Sequence, residues 1–336
     1  VHADVMNTKI VAPGNKLVNF VSRPYSADVI GIEWDASQKT PKLRWIDGAG
    51  RYIAALPSDY FDKHAIFDRR RCIYVRDSGE IIVGEDGRGT NLFDDQGFAK
   101  ESFGYNDSEY DVLVQKPKFY GKFASHYPYY RWWVSAEPHA GFEIWPTFRQ
   151  RYPDIGSLNG APVPIADHWY DGAYEAYGYV DSGEFKLGSQ PGRRPVTGNS
   201  GTDDSHADWD PYPGLIDDNV PGITLGRVGE FTINIAETCA GLAGDGFGIT
   251  NFWNYCGDQL LMYIEHGSLD IQTALGKGIV DLSSGAGFAG MNTGADSINS
   301  RLAENGTGVG SGVDGKTPIT WRGIENPYGN VWKFII

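Results

Sequence analysis

The sequence predicts an α+β fold in which a β-rich part, residues 1–125, precedes a part, residues 126–336, built from a small mixed sheet, two helices and long loops. Apolar and polar residues alternate repeatedly through the first part, at the period of half-buried strands. Two later stretches carry apolar residues at helical spacing. The 44 Gly, 10 Trp and 19 Tyr suit short strands joined by turns of positive φ, with large rings filling an irregular core.

The strand signals are KLVNFVSR (15–22), RCIYVRD (71–77) and DVLVQKPKFYGKF (111–123), with Gly and Asp turns between them. RYIAALPSDYFDKHAIFD (51–68) has room for a short helix, and GEDGRGTNLFDDQG (84–97) reads as a loop. RWWVSAEPHAGFEIWPTF (131–148) is extended and broken by Pro138, Gly141 and Pro146. Residues 188–226 form a long polar stretch of the kind that carries function when it sits inside a compact domain. A first helix is expected where Phe231, Ile235, Cys239 and Leu242 recur, stopping at Gly244. A second places Phe252, Cys256, Leu260 and Ile264 on one face, with Thr250 or Asn251 as its cap and Gly267 as its stop. The glycine-rich 283–316 segment is expected to be loop, and TWRGIENPYGNVWKFII closes as a strand.

A net charge of −14 argues against nucleic acid or an anionic membrane as partner, since both call for a basic footprint. The one basic cluster, Arg69, Arg70 and Arg71, reads as a solvated turn. No run reaches the length of a membrane span, and VHADVMNTK lacks the apolar stretch of a signal peptide, so a soluble chain is expected. Cys72, Cys239 and Cys256 cannot all pair within one chain. Cys239 and Cys256 read either as buried thiols or as a bridge between neighbouring helices.

Seven blocks then carry a family likeness. GIEWDASQKTPKLRWIDGAG (31–50), DVLVQKPKFYGKF (111–123), WWVSAEPHAGFEIWPTF (132–148), GAYEAY (172–177), KLGSQPGRRPVT (186–197), LLMYIEHGSLDIQTALGKG (260–278) and WRGIENPYGNVWKF (321–334) occur in one order over most of the chain. Together they resemble a phage tail and virion structural protein family with a C-type-lectin-like domain of the formylglycine-generating-enzyme type. That kind includes the variable proteins of diversity-generating retroelements. The resemblance implies a virion-surface protein whose partner is a host-cell receptor, protein or glycan, held through the loops after the second helix and the 199–222 loop. An architectural role among other virion proteins, as decoration or baseplate, is the alternative. Gly323, Glu325, Asn326, Gly329, Asn330 and Trp332 are then scaffold. A Gly permits the turn, an Asn satisfies its amides, and Trp332 anchors the returning strand.

Catalysis stands further back. A thiol- or copper-dependent oxidase of the formylglycine-generating type needs two cysteines near the final strands, and this chain has none there. The seven histidines are scattered, with no i, i+4 pair, and no cofactor is expected. The acidic loop containing Asp203, Asp204, Asp208, Asp210, Asp217 and Asp218 has enough hard oxygen donors for Ca²⁺, but it lacks an EF-hand spacing and reads first as a solvated loop. Trp209 and Tyr212, flanked by Asp208 and Asp210, suit sugar stacking or a protein contact if exposed, or fold back over the core if not. His168, Trp169 and Tyr170 form a second aromatic candidate patch.

Overall fold

The computed structural model describes residues 10–11, 17–18, 28–39, 42–85, 91–93, 99–103, 109–149, 165–182, 184–193, 240–241, 247–280, 308–309, 315, 318–329, 333 and 335. Within these the chain is mixed α and β, with antiparallel sheets and few helices. The hairpin β1 (Ile10–Val11) and β2 (Leu17–Val18) comes first. A five-stranded sheet follows, built from β3 (Val29–Asp35), β4 (Leu43–Asp47), β8 (Tyr120–His126), β9 (Tyr129–Ser135) and β10 (Glu143–Ile144), in the order β10-β8-β9-β3-β4. A four-stranded sheet contains β5 (Arg70–Val75), β6 (Glu80–Val83), β7 (Tyr110–Pro117) and β11 (His168–Gly172), in the order β11-β7-β5-β6. The hairpin β12 (Tyr177–Asp181) and β13 (Glu184–Gly188) and the small sheet β14 (Gly308–Val309), β15 (Ile319–Trp321) and β16 (Ile324–Glu325) complete the strands. The single run expected over 111–123 is therefore two strands in two sheets. Strands from either side of position 125 share the five-stranded sheet, because β9 pairs with β3.

Three α-helices have both ends described, α1 (Tyr60–Lys63), α2 (Phe252–His266) and α3 (Ile271–Ala274), beside short 3-10 helices at Ala65–Phe67, Glu101–Phe103 and Pro146–Phe148. The first helix expected, around Phe231 to Leu242, lies almost wholly outside the described residues, Cys239 included. Both ends of α2 follow from sequence. The Asn251 side chain accepts from the Asn254 amide at 2.9 Å, and Gly267 takes the left-handed stop at φ 57°.

The buried face of α2 is rotated from the expected one. Phe252 is 54% exposed and Cys256 half-buried, whereas Asn254, Gly257, Leu260, Leu261, Met262 and Ile264 point inward. Trp145 accommodates the rotation. Its Nε1 lies 2.7 Å from where a Cβ on Gly257 would sit, and it donates to the Trp253 carbonyl at 2.7 Å. Only a glycine lets the ring seat so close to the helix. At the other end, Trp45 Nε1 donates to the Ile264 carbonyl at 2.6 Å. Two tryptophans from the five-stranded sheet and its margin thus hold the helix across one of its faces.

The main core gathers Ile30, Ile32 and Val134 of that sheet, Phe61, Ile66 and Phe67, Leu260, Leu261 and Ile264 of α2, and Ile319 and Trp321 of β15. The arginine cluster does not sit on a solvated turn. Arg69 and Arg71 are buried beside or within β5, and only Arg70 reaches solvent, paired with Asp68. Arg71 donates twice to the Gly323 carbonyl, at 2.9 and 2.8 Å, and once to the Tyr174 hydroxyl at 3.0 Å. Burying a guanidinium is tolerable only when its donors are used. Cys72 on the same strand is fully buried, and burial pushes its thiol up to about 12.

Gly31 sits where a Cβ would meet the Trp132 carbonyl at 2.5 Å and the Trp133 ring at 2.6 Å. Gly31→Ala is therefore expected to cost about 3 kcal/mol, the upper part of the overpacking range. Urea denaturation of the variant against the parent chain checks this.

Candidate binding site

A cavity of about 290 Å³ opens where the hairpin β12–β13, the start of α2 and the turn after β16 meet. This is at the small end of ligand pockets. Its apolar wall includes Leu113, Leu187, Phe247, Ile249, Met262 and Ile324. Its floor is a buried ionic cluster contributed by elements distant in sequence. Lys116 of β7 bonds Asp171 of β11, donates to Asp258 of α2 at 2.7 Å and to the Asn254 side-chain oxygen at 3.1 Å. Arg69 reaches the other Asp258 oxygen at 2.6 Å. Asn254 donates to both Asp171 oxygens, and Trp169 Nε1 donates to one of them at 3.0 Å. Two cations thus face two carboxylates.

Burial alone would raise the Asp258 pKa. The Arg69 and Lys116 charges and hydrogen bonds outweigh that and hold it below the usual carboxylate value. A second cluster supports the β12–β13 side. Arg76 pairs with Asp111 at 2.7 Å and donates to the Tyr177 hydroxyl at 2.8 Å, with its guanidinium 3.9 Å from the Tyr179 ring centroid. Burial raises the pKa of both tyrosines. At the rim, Glu175 accepts from Lys333 at 2.8 Å and from Asn326 at 3.3 Å. Ser189 is occupied as well: its hydroxyl donates to the Val112 carbonyl at 2.8 Å and accepts from the Tyr174 amide at 3.0 Å. The arrangement offers an apolar hollow with fixed dipoles at its base, suited to non-covalent recognition.

Some of the residues singled out from sequence meet here. Glu325 and Asn326 line the cavity and are buried. Asn326 adopts φ 47°, its amide donates to the Ile319 carbonyl at 2.7 Å, and its side-chain oxygen accepts from the Ile319 amide at 3.4 Å. Gly323 and Gly329 take φ of 87° and 80°, and a Cβ on Gly329 would meet the Ile279 carbonyl at 2.9 Å. Trp169 touches the ionic floor, Tyr170 accepts from the Gln115 side chain at 2.8 Å, and His168 is exposed, all on edge strand β11. Trp209, Tyr212, Asp208, Asp210, Asn330 and Trp332 lie outside the described residues. Among the described residues, no group of three or more His, Cys, Asp or Glu could hold a metal ion, and no helix is long and apolar enough to cross a membrane.

No family model, curated protein or solved structure matches the chain.

Arg69, Lys116, Asp171, Asn254 and Asp258 went unnoticed in the sequence because no local pattern unites them. One trace exists: Asn254 and Asp258 are an i, i+4 polar pair on a helix otherwise read as apolar.

Removing one partner from a buried ion pair leaves the others uncompensated, so Asp258→Asn is expected to cost about 3–5 kcal/mol at neutral pH. Because the folded-state pKa of Asp258 is depressed, its contribution is present above the unfolded value of about 3.9 and is lost as pH falls through the lower folded value. Denaturant melts from pH 7 downward should show a shallower acid limb for Asp258→Asn than for the parent chain.

Proposed function

We propose that this chain is a viral surface or tail-tip protein of the phage or archaeal-virus type, with a C-type-lectin-like frame, that holds a host-cell receptor without covalent chemistry. The observation that carries the reading is the cavity beside β12–β13. It has an apolar wall, and of its charged groups Asp111, Asp171, Asp258, Glu175 and Lys333 are engaged in ion pairs with neighbours, while Glu325 is buried in the wall. Groups held in ion pairs are poorly placed to pass protons, and they present a fixed pattern of charge to a docked group. The tight turn from Gly323 to Gly329 supports a rigid frame beneath the loops, the arrangement a virion needs when a binding surface changes and its support does not. The seven ordered sequence blocks supply the virion context, and presentation outside the host cell follows from it.

The test uses Ala176, an exposed rim residue whose enlargement leaves every ion pair of the floor in place. Labelled parent protein is expected to bind cells of a susceptible host saturably. Ala176→Trp, which fills the mouth, should weaken that binding about tenfold or more with an unchanged melting curve. Undiminished binding by the variant would remove the cavity from the mechanism. A folded parent chain that binds no candidate host yet co-assembles with other virion proteins would point to the architectural role.

A further inference from the structure

The register of the five-stranded sheet sorts one of its faces into three cross-strand rows. Glu143, Gly121, Val134, Ile30 and Asp47 form the first, with Gly121 beneath Trp145. Phe123, Trp132, Ile32 and Trp45 form the second. Ser125, Tyr130, Trp34 and Leu43 form the third. Helix α2 shares a core with Val134 and Ile30 of the first row and reaches the second through Trp45. Beyond it, Phe123 is 56% exposed, Ser125 is exposed, and Tyr130 and Trp34 are half-buried.

The rings at this end make a continuous series. Phe123 and Trp132 have centroids 5.5 Å apart, Trp132 and Tyr130 6.4 Å, and Tyr130 and Trp34 5.4 Å. The last two pairs are inclined by only 23° and 30°. Near-parallel rings with centroids this far apart are not stacked face to face at the ~3.5–4 Å of carbon contact. Phe123 is largely exposed, and Trp132, Tyr130 and Trp34 are each half-buried, so part of every ring reaches solvent. Neither row carries a charged side chain. Hydroxyl and amide groups lie at the margin: Ser125 within the third row, and Ser37 and Gln38 in the turn after β3, where both donate to the Asp35 carboxylate and the turn is tied to the β8–β9 hairpin through the Ala36 amide and the Pro128 carbonyl.

We infer that this face binds an uncharged oligosaccharide, laid across Phe123, Trp132, Tyr130 and Trp34. The inference rests on the receptor-binding reading and names the chemistry of the receptor at a second surface. A pyranose presents an apolar C–H face that lies flat on an aromatic ring, while its hydroxyls project from its edges toward polar neighbours. A series of offset rings with a hydroxyl and amide margin matches that division. A chain of charge −14 disfavours anionic glycans, and the rows hold no cation to select them. A protein partner is less well matched, because protein hot spots call for deep pockets and buried arginine or aromatic anchors, and these rows are shallow.

The test titrates the whole chain with neutral oligomers of glucose, mannose and N-acetylglucosamine, read by intrinsic tryptophan fluorescence and by saturation-transfer NMR. At least one oligomer should bind saturably and quench or shift the emission. Phe123→Ala, whose parent side chain is largely exposed, should weaken it about tenfold, and Tyr130→Ala similarly. Ala176→Trp should leave it unchanged. Absence of binding by every oligomer, or binding indifferent to both face variants, overturns the inference. So does a concentration-dependent dimer, seen by sedimentation, that Phe123→Ala dissolves, since the face would then serve self-association. Host-cell binding retained without oligosaccharide binding would overturn this inference alone. Oligosaccharide binding without host-cell binding would uphold it and overturn the receptor reading.

Discussion

The structure depends on the balance of two buried cations against two buried carboxylates at the junction of β7, β11 and α2. Arg69 and Lys116 would be costly alone in the interior, and so would Asp171 and Asp258. Together they balance in charge, Asn254 and Trp169 bond the lone pairs that remain on Asp171, and the Arg69 Nε and Nη1, which have no hydrogen-bond acceptor among the described residues, lie beside the Trp321 ring. The cluster also decides the orientation of the helix. Turning Asn254 and Asp258 inward forces Phe252 outward, against the preference of a large apolar ring. Gly257 makes the turn feasible by admitting Trp145. Hydrophobic periodicity therefore loses to electrostatics over the first two turns of α2 and prevails only from Leu260 onward.

The same cluster reaches β15 of the small sheet. The Arg69 guanidinium lies 4.3 Å from the Trp321 ring centroid, and Trp321 is fully buried and donates to Glu265 at 2.7 Å. Arg322 adds bonds to Glu265 at 2.6 Å and to the Phe67 carbonyl at 3.1 Å. A cation in contact with an aromatic face inside a core is attracted more strongly than at a wet surface, because little water competes. This is why the short strand β15, only three residues long, holds its position within the main core.

Much of the frame was legible in the sequence, for reasons of local chemistry. Alternation in RCIYVRD and DVLVQKP marks β5 and β7, since one face of each must be apolar. Asn251 and Gly267 bound α2 because capping and left-handed termination depend on single residues. The run KPKFYGKF hid the break between β7 and β8, since Lys118 and Phe119 carry no turn signature. The arginines at 69 and 71 read as solvated because a basic triplet looks so until its partners are known. Those partners, Asp258, Gly323 and Tyr174, lie 189, 252 and 103 residues away. The cavity was hidden for the same reason: its wall and floor come from segments that no spacing rule connects. The aromatic face was half visible, as the ring-rich YYRWWV, but its continuity across strands depends on register, which periodicity alone does not supply.

The pairing of Arg69 with Trp321 bears on how such a chain is made. A ribosome delivers residues in order, so the strands of the two larger sheets emerge long before β15 does. Until then Phe67, Ile66 and the helix face around Leu261 lack their central partner, and Arg69 lacks the ring that covers it. Translation that stops short of Trp321 releases a product with an open hydrophobic centre and an unshielded guanidinium, a species suited to capture by chaperones or proteases. The arrival of β15 is thus read by the fold itself, and only copies that contain it can close their core.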